Sequence, residues 1–294
     1  MLIIYRILIN IVFIFSPLII LIRILKNKED FKRFKEKLCF FSKKRGDGKI
    51  IWFHGASVGE IKSIIPILEK LENNNGIRKI LITSNTLSSS KIIQQFKLKK
   101  IVHQFFPIDT NHLSLKFINH WRPSCAFFVD SEIWPNMFCN LEKKNIPINL
   151  INGRITKKTF RNWNLVPNFS KKFFSKFNLC LASSIQSKKF LEKLGVKKVL
   201  FLGNLKFAET EKEIKEINKN LKKNLNSKKI WCASSTHETE EDICGKVHIK
   251  LKKKHKNLLT IIIPRHVERT NAIISELSKN NLNVQKFSSN DKKI

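Results

Sequence analysis

From residue 50 onward the chain alternates short apolar runs with longer stretches whose apolar positions recur every three or four residues. Runs at 50–54, 79–83, 101–105, 124–129, 147–151, 179–183 and 198–202 predict strands. Ile61, Ile64, Leu68 and Leu71 share one helical face, and 87–97, 134–143 and 186–194 show the same period. Apolar strands separated by such helices predict a parallel sheet with crossover helices. A polar stretch at 209–228, predicted helical, leads to a second alternation: strand 229–233, helix 240–253, strand 258–263, helix 267–279 and strand 282–286. Two and a half βα units cannot close a doubly wound domain, so this second unit is expected to be incomplete. The pattern divides the chain at 1–48, 49–208 and 209–294.

The first of these segments follows another pattern. Residues 7–22, ILINIVFIFSPLIILI, carry no charge and are bracketed by Arg6 and Arg23. Sixteen residues cover about 24 Å as a helix, short of the ~30 Å hydrocarbon core unless the arginines snorkel. No small-residue cleavage site follows, which argues for a retained anchor rather than a signal peptide. Next comes KNKEDFKRFKEKLCFF, where Phe31, Phe34, Leu38 and Phe41 would share a face of a basic amphipathic interfacial helix. Its charge predicts that the following domain is cytoplasmic, on the inner leaflet of the cell membrane. The alternative is a surface helix packed on that domain.

Composition changes this picture little. The net charge of +33 suits an anionic membrane or a phosphorylated substrate as well as nucleic acid. The lysines are spread over the whole chain and do not interleave with aromatic rings as a stacking platform would require, so no nucleic-acid partner is expected. Six cysteines show no CxxC pair, which predicts reduced thiols without disulfides or zinc. Cys125, Cys180 and Cys232 in apolar runs are expected to behave as small buried hydrophobes. Neither GxxxxGK nor GxGxxG occurs.

Ligands of open α/β sheets bind beyond the carboxyl ends of the strands. The first strand ends in HGASVGE, where Ser57 and Glu60 fit an S-x-x-E capping box. The same Glu60, beside small residues that admit a ligand, could be a general base. Asp130 and Glu132 follow the fourth strand and, in extended chain, would project to one side. They could bind sugar hydroxyls, hold a metal as D-x-E, or favour the helix begun near Pro135. Lys206, Arg265, His266 and Arg269 form a cationic set suited to phosphate or carboxylate, and equally to a solvated basic turn. His237 in STHE could bind a ligand, while Ser234, Ser235 and Thr236 could cap the next helix.

Taken in order, HGASVGE, TSNT, SEIWPN, the N-x-R of NGRIT, GNLKF, STHE and PRHVER, behind an apolar N-terminus, resemble the Kdo transferases of lipopolysaccharide synthesis. The resemblance runs from residue 1 to about 288. It implies a GT-B glycosyltransferase with two Rossmann-like domains, the first complete and acceptor-binding, the second partial and donor-binding. It implies inverting transfer of 3-deoxy-D-manno-octulosonic acid (Kdo) from CMP-Kdo to a lipid A precursor, with no cofactor and no metal. Glu60 matches the catalytic glutamate. Ser57, Asp130, Glu132 and Arg154 fall on the acceptor side, and Lys206, Ser235, His237, Arg265 and His266 on the donor side. Position 130 is Asp where the family usually has Glu, Ala208 replaces an Asp and Val267 a Pro, and the family's Gly-rich donor segment is absent. The alternatives are a metal-dependent nucleotide-sugar transferase using Asp130 and Glu132, and an inactive membrane-associated lipid A-binding remnant.

Overall fold

A computed structural model describes residues 1–96, 98–205 and 225–287. The chain divides into two compact units, Met1–Thr210 and Glu211–Ile294. In chain order the first contains α1 (Leu2–Leu25), β1 (Ile50–His54), α2 (Val58–Glu72), β2 (Lys79–Ser84), α3 (Leu87–Gln95), β3 (Ile101–Phe105) and α4 (Asn111–Trp121). It continues with β4 (Cys125–Val129), α5 (Pro135–Lys143), β5 (Ile148–Gly153), α6 (Lys157–Asn164), α7 (Pro167–Phe174), β6 (Phe177–Ala182), α8 (Ile185–Leu194) and β7 (Val199–Phe201). The strands form one sheet in the order β3-β2-β1-β4-β5-β6-β7, every pair parallel.

This is the fold the alternation predicts, and the side chains explain it. β1 is buried along its whole length, as a strand covered on both faces must be. Its alternate residues feed two cores. Ile50 and Trp52 join Phe117, Trp121, Phe128 and Phe138 beneath α4, α5 and α7. Ile51 and Phe53 join Ile61, Ile64 and Leu68 of α2. The strand–helix reading from sequence has no element at α4, α6 or α7. In the last two, Pro167 interrupts the helical period and sets Trp163 stacked on Phe173 at 5.6 Å.

Three expectations fail. The segment after α1 is no amphipathic helix: it makes turns and a five-residue 3-10 helix, Phe34–Leu38. Phe31 is 73% exposed while Glu36 is buried at 1%. The Glu36 carboxylate accepts two bonds from Arg33 (2.8 and 2.9 Å), one from the Ser42 hydroxyl (2.5 Å) and one from the Phe105 N–H (2.9 Å). Satisfying that buried charge, rather than sorting polar from apolar faces, sets the conformation. The second unit contains β8 (Lys229–Thr236), α9 (Glu240–Lys252), β9 (Leu258–Pro264) and α10 (Thr270–Lys279), with β8 and β9 parallel. Residues 282–286 form no strand. The chain turns at Asn281 (φ 56°) and brings Leu282 against Gly245 of α9, where an added Cβ would lie 3.1 Å from it. Packing on a helix replaces pairing with the sheet. Cys232 is exposed rather than buried, and all six cysteines are free.

The Glu36 network gives a stability prediction. Glu36→Ala strands Arg33 and the Phe105 N–H and should cost about 3–5 kcal/mol, as breaking a buried pair does. Exposed Lys35→Ala should stay within about 0.5 kcal/mol. Denaturant unfolding of the two variants checks this; equal effects would mean the network is not structural.

Candidate active site

The sheet order reverses between β1 and β4, the place where open α/β sheets leave a crevice. Glu60 stands just after β1 and Asp130 and Glu132 just after β4, so both strands flanking the reversal deliver carboxylates to it.

Glu60 is held by its own turn. Ser57 is the N-cap of α2, and its hydroxyl oxygen accepts the Glu60 N–H at 3.3 Å. The same hydroxyl donates to Glu60 Oε1 at 2.7 Å, while Oε2 accepts the Ala56 N–H at 2.7 Å. This is a capping box shifted by one residue, because the carboxylate reaches the N–H before the cap rather than the cap's own. Gly55 permits it, being buried with Glu60 Cβ only 3.2 Å from where its own Cβ would stand. Burial pushes the Glu60 carboxyl above the ordinary glutamate value; the Ser57 bond lowers it, the Glu132 charge raises it, the Ala56 N–H lowers it and Asp130 raises it. The carboxylate is half-buried and within electrostatic reach of both acidic neighbours.

The Asp130–Glu132 segment differs from expectation. Asp130 adopts a left-handed backbone, φ 62°, and the chain turns there instead of continuing extended. Its main chain is clasped on both sides: the Asp130 N–H donates to Ile151 O, and Asp130 O accepts the Arg154 N–H at 3.2 Å. The Ser131 hydroxyl lies 3.2 Å from Asp130 Oδ1 and donates to Arg154 O at 2.9 Å. The turns after β4 and β5 are thus locked together, and exposed Arg154 is carried on that clasp. Glu132 points elsewhere. Its Oε2 accepts from Trp134 Nε1 at 2.9 Å and meets His54 Nε2 at 3.2 Å. Among the described residues no group of three His, Cys, Asp or Glu side chains is arranged to hold a metal.

His54 and Trp134 are site residues that the sequence reading did not single out. His54 ends β1, is fully buried, and stacks on Phe106 with ring centroids 4.0 Å apart. Its Nδ1 lies 2.9 Å from Thr83 Oγ1, which also accepts Trp52 Nε1–H at 2.9 Å. Nδ1 also lies 3.2 Å from the Thr83 carbonyl oxygen, and the Thr83 hydroxyl donates to Phe53 O at 3.4 Å. The one available signal was a polar residue closing an otherwise apolar central strand.

In the second unit Ser235 (φ 61°) is the irregular position near the end of β8, where the register with β9 shifts between Ser234 and Thr236, and its side chain is exposed. The His237 N–H is capped by Glu240 Oε2 at 2.7 Å, so a carboxylate and not the Ser-Ser-Thr run opens this turn. The β8 and β9 ends meet through the Arg265 N–H donating to Thr236 O at 2.9 Å. His237 and His266 rings stand 6.3 Å apart, and His237, Arg265 and His266 are exposed. Arg269 does not belong with them: it forks onto buried Glu241 at 3.1 and 3.3 Å. Lys206 lies outside the described residues.

The raised carboxyl of Glu60 predicts a pH signature. A group whose folded value lies above its unfolded one stabilises fully below the unfolded value and loses that contribution as pH rises through the folded one. Glutamine mimics the protonated state at every pH. Unfolding measured from about pH 4 to 7, the span above the ordinary glutamate value, should therefore show Glu60→Gln gaining on the parent as pH rises. A flat difference would contradict the burial argument.

A sequence profile described as "3-Deoxy-D-manno-octulosonic-acid transferase (kdotransferase)" matches residues 32–209. The chain is 32% identical over 276 residues to the 3-deoxy-D-manno-octulosonic acid transferase of Rickettsia bellii, covering 93% of this chain and 65% of that protein. It is also 32% identical to an Arabidopsis thaliana protein named "Probable 3-deoxy-D-manno-octulosonic acid transferase, mitochondrial", covering 94% and 64%. The chain thus spans just under two thirds of the length of these relatives. Among solved structures, a UDP-GlcNAc 2-epimerase from Neisseria meningitidis superposes with a TM-score of 0.54 at 16% identity, over 81% of this chain and 73% of that one. That likeness concerns fold alone, and the fold is α/β and GT-B-like. The profile match, covering more than half of the residues, settles the family: the chain belongs to the Kdo transferases, a family of glycosyltransferases.

Proposed function

We propose that this chain carries the acceptor-side machinery of an inverting transferase that moves Kdo from CMP-Kdo to a hydroxyl of a lipid A precursor. The observation that supports it most is the Glu60 carboxylate: half-buried, raised in pKa, and held at the sheet reversal by two hydrogen bonds. Each carboxylate oxygen retains a further acceptor site, so capping the helix and accepting a proton are compatible duties. In the reaction Glu60 takes the acceptor hydroxyl proton as that oxygen attacks the anomeric carbon of Kdo. The bond from that carbon to the CMP phosphate breaks on the opposite face, and its electron pair leaves with CMP.

Ser57 steadies Glu60 while Asp130, Glu132 and Arg154 contact the acceptor. Lys206, Ser235, His237, Arg265 and His266 are assigned to the donor, where cations offset the charge of the departing phosphate. The chemistry as written needs no metal or cofactor. α1, 24 residues long and apolar enough to cross a membrane, holds the enzyme at the inner face of the cytoplasmic membrane, where a phosphorylated glycolipid would be met.

Glu60→Gln tests the reading on this chain joined to the part of the Rickettsia bellii relative that the match leaves uncovered. Kdo transfer should fall roughly 10²–10⁴-fold, the usual worth of a general base, with CMP-Kdo binding unchanged. Ser57→Ala should cost about 1 kcal/mol of stability and much less activity. Transfer within a few-fold of the parent by the Gln variant would reduce Glu60 to a cap and end the mechanism.

A further inference from the structure

The start of α1 is bonded to the loop that follows β3 and to the first turn of α5. The Tyr5 hydroxyl donates to Asp109 Oδ2 at 2.8 Å, while Arg6 donates to Asn136 Oδ1 at 2.9 Å and to Asn111 Oδ1 at 3.2 Å. Asp109 and Asn136, at the centre of this network, are buried at 1% and 0% exposure. The Asn136 side chain closes the circuit, its Nδ2 donating to Asp109 O at 2.6 Å. A helix that only tethered the domain would need none of these bonds.

Asp109 does for α5 what the helix's own N-cap does not. That N-cap is Trp134, whose side chain makes no capping bond. A helix opens with N–H groups that have no partner inside it, and Pro135 at the first position has no N–H to satisfy. The next two, those of Asn136 and Met137, donate to Asp109 Oδ2 at 3.0 Å and to Oδ1 at 2.8 Å. The Phe138 N–H then returns to Trp134 O at 2.9 Å, the first bond within the helix. The cap therefore comes from another loop, 27 residues before Asn136. A carboxylate suits the place, because the start of a helix is its positive end. Among the described residues no lysine or arginine is bonded to Asp109. Burial pushes its carboxyl up to about 7, against the lowering by the Tyr5 hydroxyl and the two N–H groups. Those three donors are its direct compensation, so removing one leaves a buried acid short of partners.

The helix capped in this way starts three residues after Glu132. Trp134, between them, donates to the Glu132 carboxylate at 2.9 Å and packs on Phe106 with ring centroids 4.9 Å apart. A shift at the start of α5 is therefore passed to the Trp134 ring and from it to Glu132. We propose that Tyr5 and Arg6 are positioning residues of the acceptor site. Through Asp109 and Asn136 the start of α1 fixes the start of α5, and through Trp134 it fixes the direction of the Glu132 carboxylate. The proposal rests on the reading that Glu132 contacts the acceptor. It makes the N-terminal helix a working part of the site, wherever its apolar surface lies.

The test uses this chain in detergent micelles, where no bilayer contributes, with two readouts: amide hydrogen exchange along the chain, and affinity for the lipid A precursor. Tyr5→Phe with Arg6→Gln should speed exchange across residues 131–137 at least about tenfold while α8 exchanges as in the parent. The same variant should bind the precursor about tenfold more weakly. Asp109→Asn, which replaces an acceptor oxygen by a donor, should do at least as much. Ile3→Ala, at a position 72% exposed on the same helix, should change neither readout. Unchanged exchange at 131–137, or a rise spread evenly over the chain, would overturn the inference, as would unchanged acceptor binding. If the double variant does not fold, Tyr5→Phe alone removes a single oxygen and decides by the same readouts. A parent chain that does not bind the precursor would end the acceptor reading instead, and exchange alone would then judge the coupling.

Discussion

A wholly parallel sheet imposes one constraint from which the rest follows: every strand must run the same way, so every strand ends at the same edge. Hydrogen bonds inside the sheet cannot cover that edge, and each crossover helix starts there with unpaired N–H groups. Where the order reverses between β1 and β4, the crossovers go to opposite faces and leave an uncovered gap. The residues that close strands and open helices at that gap must therefore be small, polar or charged. HGAS of the first turn and DSE of the second, which meet there, have those properties.

The opposition between a capping glutamate and a catalytic one dissolves at the atomic level. Capping occupies one acceptor site on each oxygen of Glu60 and fixes the carboxylate in place, which a proton acceptor also needs. Glu132 follows similar logic on the other side of the gap. Trp134 and the buried His54–Thr83 pair orient it, so its direction is set from the core outward and does not depend on solvent-exposed neighbours.

The strands of the sheet were legible because burial on both faces demands unbroken apolar runs, and the site because such runs end in conspicuous polar clusters. What escaped depended on partners far away in sequence. Nothing local in FKRFKEKL says that Glu36 will receive the Phe105 N–H or that Arg33 will reach the His103 carbonyl. A helical face was the best local guess there, and buried ion pairing overrode it. Arg269 looked like a member of a cationic cluster until Glu241, on the neighbouring helix, claimed it. The left-handed Asp130 was hidden because an Asp ahead of a helix reads the same whether the chain is extended or turned. His54 was missed for a different reason: one histidine at a strand end carries no period.

The attachments of the N-terminal segment also bear on the order in which the chain can assemble. Tyr5 waits for Asp109, 104 residues later, Arg6 for Asn136, 130 residues later, and Arg33 for His103, 70 residues later. With synthesis at about 5–20 residues per second, the most apolar part of the molecule leaves the ribosome roughly 6–26 s before its last partner exists. Contacts so distant in sequence also form late, because the loops they close are long. A nascent chain of this kind needs something to shelter its first helix in that interval. A lipid surface reached early would do so while the sheet folds.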